Sequence, residues 1–296
     1  MNKFSMSIPG SSGNLGPGFD SCGMAVNLYL TLHVEVQERW EFFHESPYLP
    51  PVENDADHLI FQTAKQTAER HQKQLPSCKV VVESDIPLAR GLGSSASAVL
   101  AGIEMANQLC EIGLTDEQKL QYGTELEGHP DNIAPALYGG IVFSAVTEER
   151  IEHIQVSTPE LGLVVHIPDT ELKTEKARQL VPESFLRNYA SSASAVSNVM
   201  VAALLVSDYR LAGRMMEQDL FHEPYRAGVV PNYELIRNEA KKAGAFGSII
   251  SGAGPSMISF VPEAEGKLVR DHMRRKLPDY KIAVLEIDMT GLQVGK

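Results

Sequence analysis

The most informative segment of the sequence is Pro87, Leu88, Ala89, Arg90, Gly91, Leu92, Gly93, Ser94, Ser95, Ala96 and Ser97. An apolar, strand-like run precedes it at residues 79–83, and apolar residues spaced three and four apart follow it as far as Cys110. That spacing is typical of a helix that buries one face. The segment therefore predicts a strand, a glycine-rich turn and a helix that begins with serines.

This turn has the composition of an anion-binding site. Glycines let the backbone turn tightly and approach a ligand closely. A helix N-terminus adds unpaired N–H groups and the positive end of the helix dipole. The combination favours phosphate, although the turn lacks the lysine of a Walker A loop and the third glycine of a dinucleotide fingerprint. The alternative is an ordinary helix start capped by serine.

Composition and charge limit the classes of function. The chain has 296 residues, of which 43% are hydrophobic and 22% charged, as in soluble globular proteins of one large or two ordinary domains. A net charge of −12 disfavours nucleic acid and anionic membranes as partners, because both require clustered Lys and Arg. A local group of N–H donors can still bind phosphate in an acidic protein.

Three further features predict a cytoplasmic protein without a membrane partner. The cysteines Cys22, Cys78 and Cys110 are odd in number and widely spaced, as expected of reduced thiols. The N-terminus lacks the apolar core of a signal peptide. The longest apolar run, at residues 199–206, is far shorter than the roughly 20 residues of a membrane span.

Periodicity along the rest of the chain predicts an α+β fold in two halves, because strands and helices alternate without a regular βα rhythm. A charged stretch at residues 147–153 suggests a boundary between domains 1–153 and 154–296. The other predicted strands are residues 3–8, 26–37, 141–146, 161–167, 246–250, 257–261 and 281–287. The other predicted helices are residues 57–71, 115–127, 174–180, 191–207, 210–219, 231–243 and 263–276.

Three more loops carry polar or glycine-rich sequence. A loop at residues 11–23 contains Asn14 and Asp20, which could simply serve turn chemistry. The helix at 115–127 is followed by Gly128-His-Pro-Asp-Asn132. The uncharged loop Ser251-Gly-Ala-Gly-Pro-Ser256 is expected to pack under the phosphate loop and fix its conformation, or to be only a hairpin turn.

Together these loops resemble the three-motif pattern of the GHMP small-molecule kinases. The motifs are Asn14-Leu-Gly-Pro-Gly-Phe-Asp20, the central Pro-x-x-x-Gly-Leu-Gly-Ser-Ser-Ala at residues 87–96, and Ser-Gly-Ala-Gly-Pro at 251–255. They occur in the expected order over nearly the whole chain. The first motif combined with Gly128-His-Pro-Asp-Asn132 is most similar to the branch of the family that acts on homoserine.

The resemblance implies a fold, a reaction and a metal. The first domain would be of the type shared with a ribosomal-protein fold and the second ferredoxin-like, with ATP between them and its phosphates on the 91–97 loop. The chain would be a phosphotransferase that converts L-homoserine and ATP to O-phospho-L-homoserine and ADP in threonine synthesis, and would form a homodimer. Magnesium would be held by Ser95 (or Ser94) and by Glu127 or Glu125.

The acceptor would bind through both of its charged groups. Asn14 and Asp20 are candidates for the polar end of the acceptor and its hydroxyl, and His129 can donate or accept a hydrogen bond. Arginine suits a carboxylate because its planar fork pairs at two points, and by resemblance Arg178 and Arg226 match the carboxylate-binding positions, with Arg187 a poorer match. A structural histidine and solvated surface arginines are the alternatives.

Catalysis is assigned to Asn14, Asp20, Asp131 and Asn132. The first motif has no lysine that could assist a base, so we assign Asp131 and Asn132 to substrate positioning and leave base action open. Positioning alone can supply roughly 7–11 kcal/mol of the barrier reduction. The alternatives are a mevalonate- or sugar-type kinase, and a nucleotide-binding relative without catalytic activity.

Overall fold

A computed structural model describes residues 3–156 and 160–295 of the chain. Its strands are β1 (Lys3–Gly13), β2 (Cys22–Val36), β3 (Glu41–His44), β4 (Cys78–Ser84), β5 (Ile141–Val146), β6 (Ile151–Val156), β7 (Leu161–Ile167), β8 (Gly247–Ile250), β9 (Met257–Pro262), β10 (Lys281–Leu285) and β11 (Gln293–Gly295). Its helices are α1 (Leu59–Arg70), α2 (Ser94–Leu109), α3 (Asp116–Glu127), α4 (Ile133–Tyr138), α5 (Thr174–Arg178), α6 (Arg187–Leu205), α7 (Tyr209–Met216), α8 (Glu223–Arg226), α9 (Tyr233–Lys242) and α10 (Gly266–Lys276).

The first sheet carries the N-terminal half. Its strand order is β11-β1-β2-β4-β3, and β5 pairs with both β2 and β6. Helix α2 packs against β1, α1, α3 and α4, and it is buried over most of its length, including Leu100 and Ile103. The central apolar segment of the sequence therefore forms the core of this half, which holds the start of α2 in place.

The second sheet is antiparallel, with the order β10-β7-β9-β8. Helices α9 and α10 pack against its strands. The chain order of β7, helices, β8, β9, α10 and β10 follows the β-α-β-β-α-β arrangement of ferredoxin-like domains. The predicted α+β fold with a ferredoxin-like second half is confirmed. Within the described residues, no helix has the length and apolar content needed to cross a bilayer.

Most predicted elements are present, with differences at their ends. The first strand was predicted to stop at Pro9-Gly10, and this is wrong: β1 continues to Gly13. The register shifts between Pro9 and Gly10, where Asn27 and Leu28 of β2 are left without partners in β1, so β1 continues and stays paired with β2. The predicted strand at 281–287 is not the last, because β11 follows it and pairs with β1. Four further elements, β3, β6, α4 and α8, were not predicted from the sequence.

The predicted division at residues 153/154 stays a prediction. Strand β6 spans this position and pairs along its length with β5, so the first sheet extends to Val156. The end of the chain also returns to the first sheet through β11. The two halves are thus joined by backbone pairing as well as by the loops that meet between them.

Candidate active site

A cleft of about 600 Å³ lies where the motif loops meet. The phosphate loop forms one wall, and the second half of the chain supplies the opposite one. The predicted site residues that line it are Asn14, Asp20, Ser94, Ser95, Glu127, His129, Asp131, Asn132, Arg178 and Arg226. Arg187 instead lies exposed at the start of α6.

The phosphate loop presents an uncapped helix N-terminus. Gly93, the residue before α2, adopts the left-handed conformation with φ of 74°, and among the described residues no side chain caps the helix there. Ser94 and Ser95 are therefore the first helical residues, and the serine-capped alternative does not hold. The N–H groups of the first turn remain available to an anion.

The third loop packs against the phosphate loop, as predicted. The hydroxyl of Ser251 donates to the carbonyl of Gly91 over 2.6 Å. A Cβ at Gly91, where φ is +72°, would lie 2.2 Å from the Ser251 carbonyl oxygen. This loop also joins the antiparallel strands β8 and β9, so the hairpin interpretation holds as well.

The side chain of Arg90 connects the two halves. Its guanidinium donates to the carbonyls of Leu88 and Pro168, each over 3.0 Å, and to that of Asp169 over 2.5 Å. Contact of this side chain with a nucleotide stays a prediction, since each of its three nitrogens already donates to a carbonyl. The arrangement fixes the phosphate loop against the second half.

One of the two candidate glutamates faces the phosphate loop. The Ser95 hydroxyl donates to Glu127 Oε1 over 2.5 Å. Glu125 instead accepts from Arg70 Nη1 at 2.6 Å, because residues two apart on a helix lie on different faces. The hydroxyl and carboxylate oxygens of Ser95 and Glu127 are the hard ligands that Mg²⁺ prefers.

Across the cleft, Asp20 and Arg178 form a two-point ion pair. Arg178 Nη1 lies 3.0 Å from Asp20 Oδ1, and Nη2 lies 2.5 Å from Oδ2. Burial raises the pKa of Asp20, and the positive charge of Arg178 opposes that rise without cancelling it. The guanidinium carbons of Arg178 and Arg226 each lie 5.5 Å from the ring centroid of Phe19. An acid and two cations thus share one end of the cleft.

His129 and Asp131 form a buried pair beside them. His129 Nδ1 hydrogen bonds to Asp131 Oδ1, and Asp131 Oδ2 accepts from the backbone N–H of Asn14 over 3.1 Å. Burial lowers the pKa of His129, but the hydrogen bond to Asp131 and its charge outweigh that effect, and the net pKa is raised. One ligand atom each from Asp20, His129 and Asp131 lies within 4.8 Å of the others.

Arg226 is almost completely buried, with 2% of its surface exposed. Its Nε donates to the carbonyl of Ala177 and its Nη1 to that of Gly252, each over 3.2 Å. The Gly252 carbonyl also accepts from Asn14 Nδ2 at 2.9 Å. Burial lowers the pKa of Arg226 to about 10, so the guanidinium remains charged near neutral pH.

One residue beside the cleft was not predicted from the sequence. It is His222, whose Nδ1 lies 3.1 Å from Arg226 Nη1. Its spacing of four residues before a candidate arginine was the available signal. The role of the Gly252 carbonyl carried no signal in the sequence, because any residue type supplies a carbonyl.

A second cavity, of about 930 Å³, adjoins the phosphate loop at Ser94 and Ser95. Its lining is mostly apolar and includes Leu30, Leu49, Pro50, Val82, Ile86 and Leu88. The start of α2 therefore lies between a polar cleft and an apolar one.

Comparison with known proteins agrees with this geometry. The model of the GHMP kinases N terminal domain matches residues 58–140, and that of the GHMP kinases C terminal matches residues 200–279. The fold and cleft are those of a small-molecule kinase.

Individual relatives show which kind of small-molecule kinase this chain is similar to in sequence. A homoserine kinase of Oceanobacillus iheyensis is 51% identical over 99% of this chain and 99% of its own length. The crystal structure of homoserine kinase from Cytophaga hutchinsonii has a TM-score of 0.85 at 25% identity, covering 99% of this chain and 98% of that one. The L. major mevalonate kinase shares the fold alone, with a TM-score of 0.75 at 18% identity over 95% and 94% of the two chains. The chain belongs to the homoserine kinase family of the GHMP kinases.

Proposed function

We propose that this chain transfers the γ-phosphoryl group of ATP to the side-chain hydroxyl of L-homoserine, giving O-phospho-L-homoserine and ADP in threonine synthesis. The observation that carries the proposal is the pairing of Asp20 with Arg178 opposite the phosphate loop. An α-amino acid needs one group of each sign, and a phosphoryl donor needs the anion site that faces them.

The nucleotide would span the start of α2. Its phosphates would accept hydrogen bonds from the N–H groups of the first turn, where the helix dipole also favours negative charge. The adenosine would occupy the apolar cavity beside Ser94 and Ser95, because ligand pockets bury their apolar parts against apolar side chains.

Ser95 and Glu127 would hold Mg²⁺, with Ser94 as the alternative hydroxyl. Their separation of 2.5 Å at the mouth of the cleft supports a shared cation, since hydroxyl and carboxylate oxygens suit this ion. When bound, the ion neutralises charge on the transferring phosphoryl group. Glu125 is less suitable because Arg70 already neutralises it.

The acceptor would replace the contact between Asp20 and Arg178. Its ammonium would pair with Asp20, and its carboxylate with Arg178 and Arg226. Mevalonate brings a carboxylate without an ammonium and would leave the half-buried Asp20 without its partner, which is costly. A sugar brings neither charge. The site therefore favours a zwitterion.

The remaining polar residues would orient the hydroxyl of the acceptor. Asp131 already accepts from His129 and Asn132 through Oδ1 and from the Asn14 backbone through Oδ2. Because both carboxylate oxygens of Asp131 already accept hydrogen bonds, this residue suits positioning of the acceptor hydroxyl better than abstraction of its proton. Alignment of the hydroxyl with a charge-stabilised phosphoryl group would then supply the rate enhancement.

Acceptor-dependent ADP release tests the proposal. We expect turnover with L-homoserine and none with mevalonate or galactose at millimolar concentration, measured in a coupled assay with ATP and Mg²⁺. Turnover with one of the other acceptors instead would establish the rival kinase. ATP binding without ADP release for any acceptor would establish a catalytically inactive relative.

We also propose that the chain forms a homodimer through α6. This helix carries no charged side chain from Asn188 to Val206, and Val199 and Leu205 are 42% and 52% exposed. Light scattering coupled to gel filtration should give a dimer for the natural chain and a monomer for Leu205→Lys. A monomer of the natural chain at tens of micromolar would contradict the proposal.

A further inference from the structure

We infer that His222 is a positioning residue for acceptor binding, holding Arg226 in the cleft and connecting it to the first-motif loop. The inference rests on the proposed function, because it takes Arg226 to bind the carboxylate of the acceptor. His222 itself lies behind Arg226 and does not line the cleft.

Both ring nitrogens of His222 take part in hydrogen bonds. Nδ1 lies 3.1 Å from Arg226 Nη1, and Nε2 lies 3.0 Å from the carbonyl oxygen of Gly16. A guanidinium only donates and a carbonyl only accepts. Nδ1 must therefore be the acceptor and Nε2 must carry the proton, which makes the ring a neutral imidazole of one defined tautomer.

The charges around the ring are compatible with that state. The ring is completely buried, and burial lowers its pKa to about 4 although Asp219 and Asp131 oppose this change and Arg226 assists it. A second proton on Nδ1 would face the N–H of Arg226. The contact with Arg226 thus depends on a ring that stays neutral.

The surroundings fix the position of the ring. The Asp219 carboxylate accepts from the backbone N–H groups of His222 over 2.9 Å and Glu223 over 2.7 Å, which defines the turn before α8. On the other side the ring stacks on Phe19, with centroids 5.6 Å apart. Asp219 Oδ2 also lies 3.5 Å from His222 Nε2, which favours the proton on that nitrogen. Neither Asp219 nor Phe19 takes the place of Arg226 at Nδ1.

Gly16 can reach this ring because it has no side chain. A Cβ there would lie 2.5 Å from the carbonyl oxygen of Met216, at the end of α7. The first-motif loop therefore contacts the second half of the chain directly, and His222 joins this contact to Arg226. The same ring thus connects the loop that carries Asn14 and Asp20 with the arginine opposite them.

Arg226 keeps capacity for a ligand in this arrangement. Among the described residues its hydrogen bonds to Ala177, His222 and Gly252 use Nε and Nη1, which leaves Nη2 for a carboxylate. Rotation of the guanidinium would exchange these roles. We therefore expect that loss of the hydrogen bond from Arg226 to Nδ1 weakens the binding of homoserine without changing the binding of the nucleotide.

Two amide variants separate the two ring contacts. The amide of His222→Asn reaches the place of Nδ1 and can accept from Arg226, whereas that of His222→Gln reaches the place of Nε2 and can donate to Gly16. We expect His222→Gln to raise the KM for homoserine about tenfold or more, since a lost hydrogen bond to a charged group costs roughly 1.5–3 kcal/mol. His222→Asn should stay within about threefold of the natural chain. The KM for ATP should change less than about twofold in both variants.

The outcomes distinguish the inference from the proposed function. If Arg226→Ala raises the KM for homoserine but folded His222→Gln does not, the positioning role is wrong and the proposed function stands. If the natural chain shows no homoserine-dependent turnover, the proposed function itself fails.

Nitrogen-15 NMR of the natural chain gives a readout that needs no folded variant: the His222 signals should show an unprotonated Nδ1 and a protonated Nε2 at neutral pH. A charged ring or the opposite tautomer would overturn the inference.

Discussion

The carboxylate of Asp20 and the guanidinium of Arg178 neutralise each other across the cleft through contacts of 3.0 and 2.5 Å. They come from opposite halves of the chain, 158 positions apart. Without an acceptor, each group is the partner of the other. In the proposed function, an acceptor brings both charges to compensate the pair it separates, so we expect the pair to select amino acids.

Replacing Asp20 should weaken the binding of homoserine selectively. Asp20→Asn keeps the size of the side chain and removes its charge, so we expect the KM for homoserine to rise by about 10- to 100-fold, equivalent to roughly 1.4–2.8 kcal/mol. The KM for ATP should remain within about twofold. The penalty for an analogue without the ammonium should shrink in the variant. Equal increases for both substrates would contradict this role.

Arg226→Ala should raise the KM for homoserine far more than that for ATP, because it removes the guanidinium that we propose to pair with the carboxylate. Steady-state kinetics with each substrate varied in turn measures the split. Arg187→Ala is the matched control, since Arg187 is exposed on α6, and both KM values should be unchanged. Equal effects of Arg226→Ala on the two substrates would refute the carboxylate role.

The two glutamates at the end of α3 should differ in their effect on magnesium. Glu127→Gln should raise the Mg²⁺ concentration needed for half-maximal activity and lower kcat by about 10²-fold or more, because it removes the charge beside Ser95. Glu125→Gln removes only the contact with Arg70 and should leave both values nearly unchanged. A titration of Mg²⁺ at fixed ATP compares them. The reverse order would assign the cation to Glu125.

Gly91→Ala should damage both the stability and the ATP site. The new Cβ would meet the Ser251 carbonyl at 2.2 Å, at a φ of +72°, so the phosphate loop and the third loop must separate. Gly113→Ala is the control, because Gly113 has a similar φ of +78° and nothing within 4 Å. We expect a cost of about 1 kcal/mol for the control and at least twice that for Gly91→Ala, which should also raise the KM for ATP. Chemical denaturation with parallel kinetics tests both, and equal costs would show that the clash is absent.

Stability should fall with rising pH because of Glu223. Burial raises its pKa to about 7 from 4.5, although the hydrogen bonds from Tyr233 and Ile250 lower it. Between these values the folded state holds a proton that the unfolded state has released, so this contribution declines as pH rises towards 7 and is constant above it. The free energy of unfolding of the natural chain relative to Glu223→Gln should drop by up to about 3 kcal/mol from pH 4.5 to 7.5.

Urea denaturation at several pH values measures this difference. Glu148→Gln, a change of an exposed residue, serves as the control and should follow the natural chain at every pH. A difference between the natural chain and Glu223→Gln that does not vary with pH would show that Glu223 has an ordinary pKa.

Local sequence patterns predicted the structure correctly where a single short segment forms the whole feature. The phosphate loop between β4 and α2 follows from an apolar run, two glycines and a helical spacing, because these patterns act over a few neighbouring residues. Thr115 likewise caps α3 through a capping box with Gln118. The continuation of β1 beyond Pro9 was missed because pairing with β2, and not local propensity, keeps that segment extended.

Which of Glu125 and Glu127 lies beside Ser95 could be seen only in the tertiary structure. Both were acceptable in the sequence because they have the same chemistry and lie two residues apart. Packing of α3 places one beside Ser95 and the other beside Arg70. The neutral state of His222 also depends on burial and on groups from distant segments, which no local pattern contains.

The fold class, the order of the motif loops and the residue types available for phosphate, cation and amino acid could all be predicted from the sequence. These properties follow from short-range patterning and from side-chain chemistry. The pairing of Asp20 with Arg178 and of His222 with Arg226 could be seen only in the folded chain. Pairing and desolvation depend on distances of a few ångströms between segments far apart in the chain, and folding alone sets those distances.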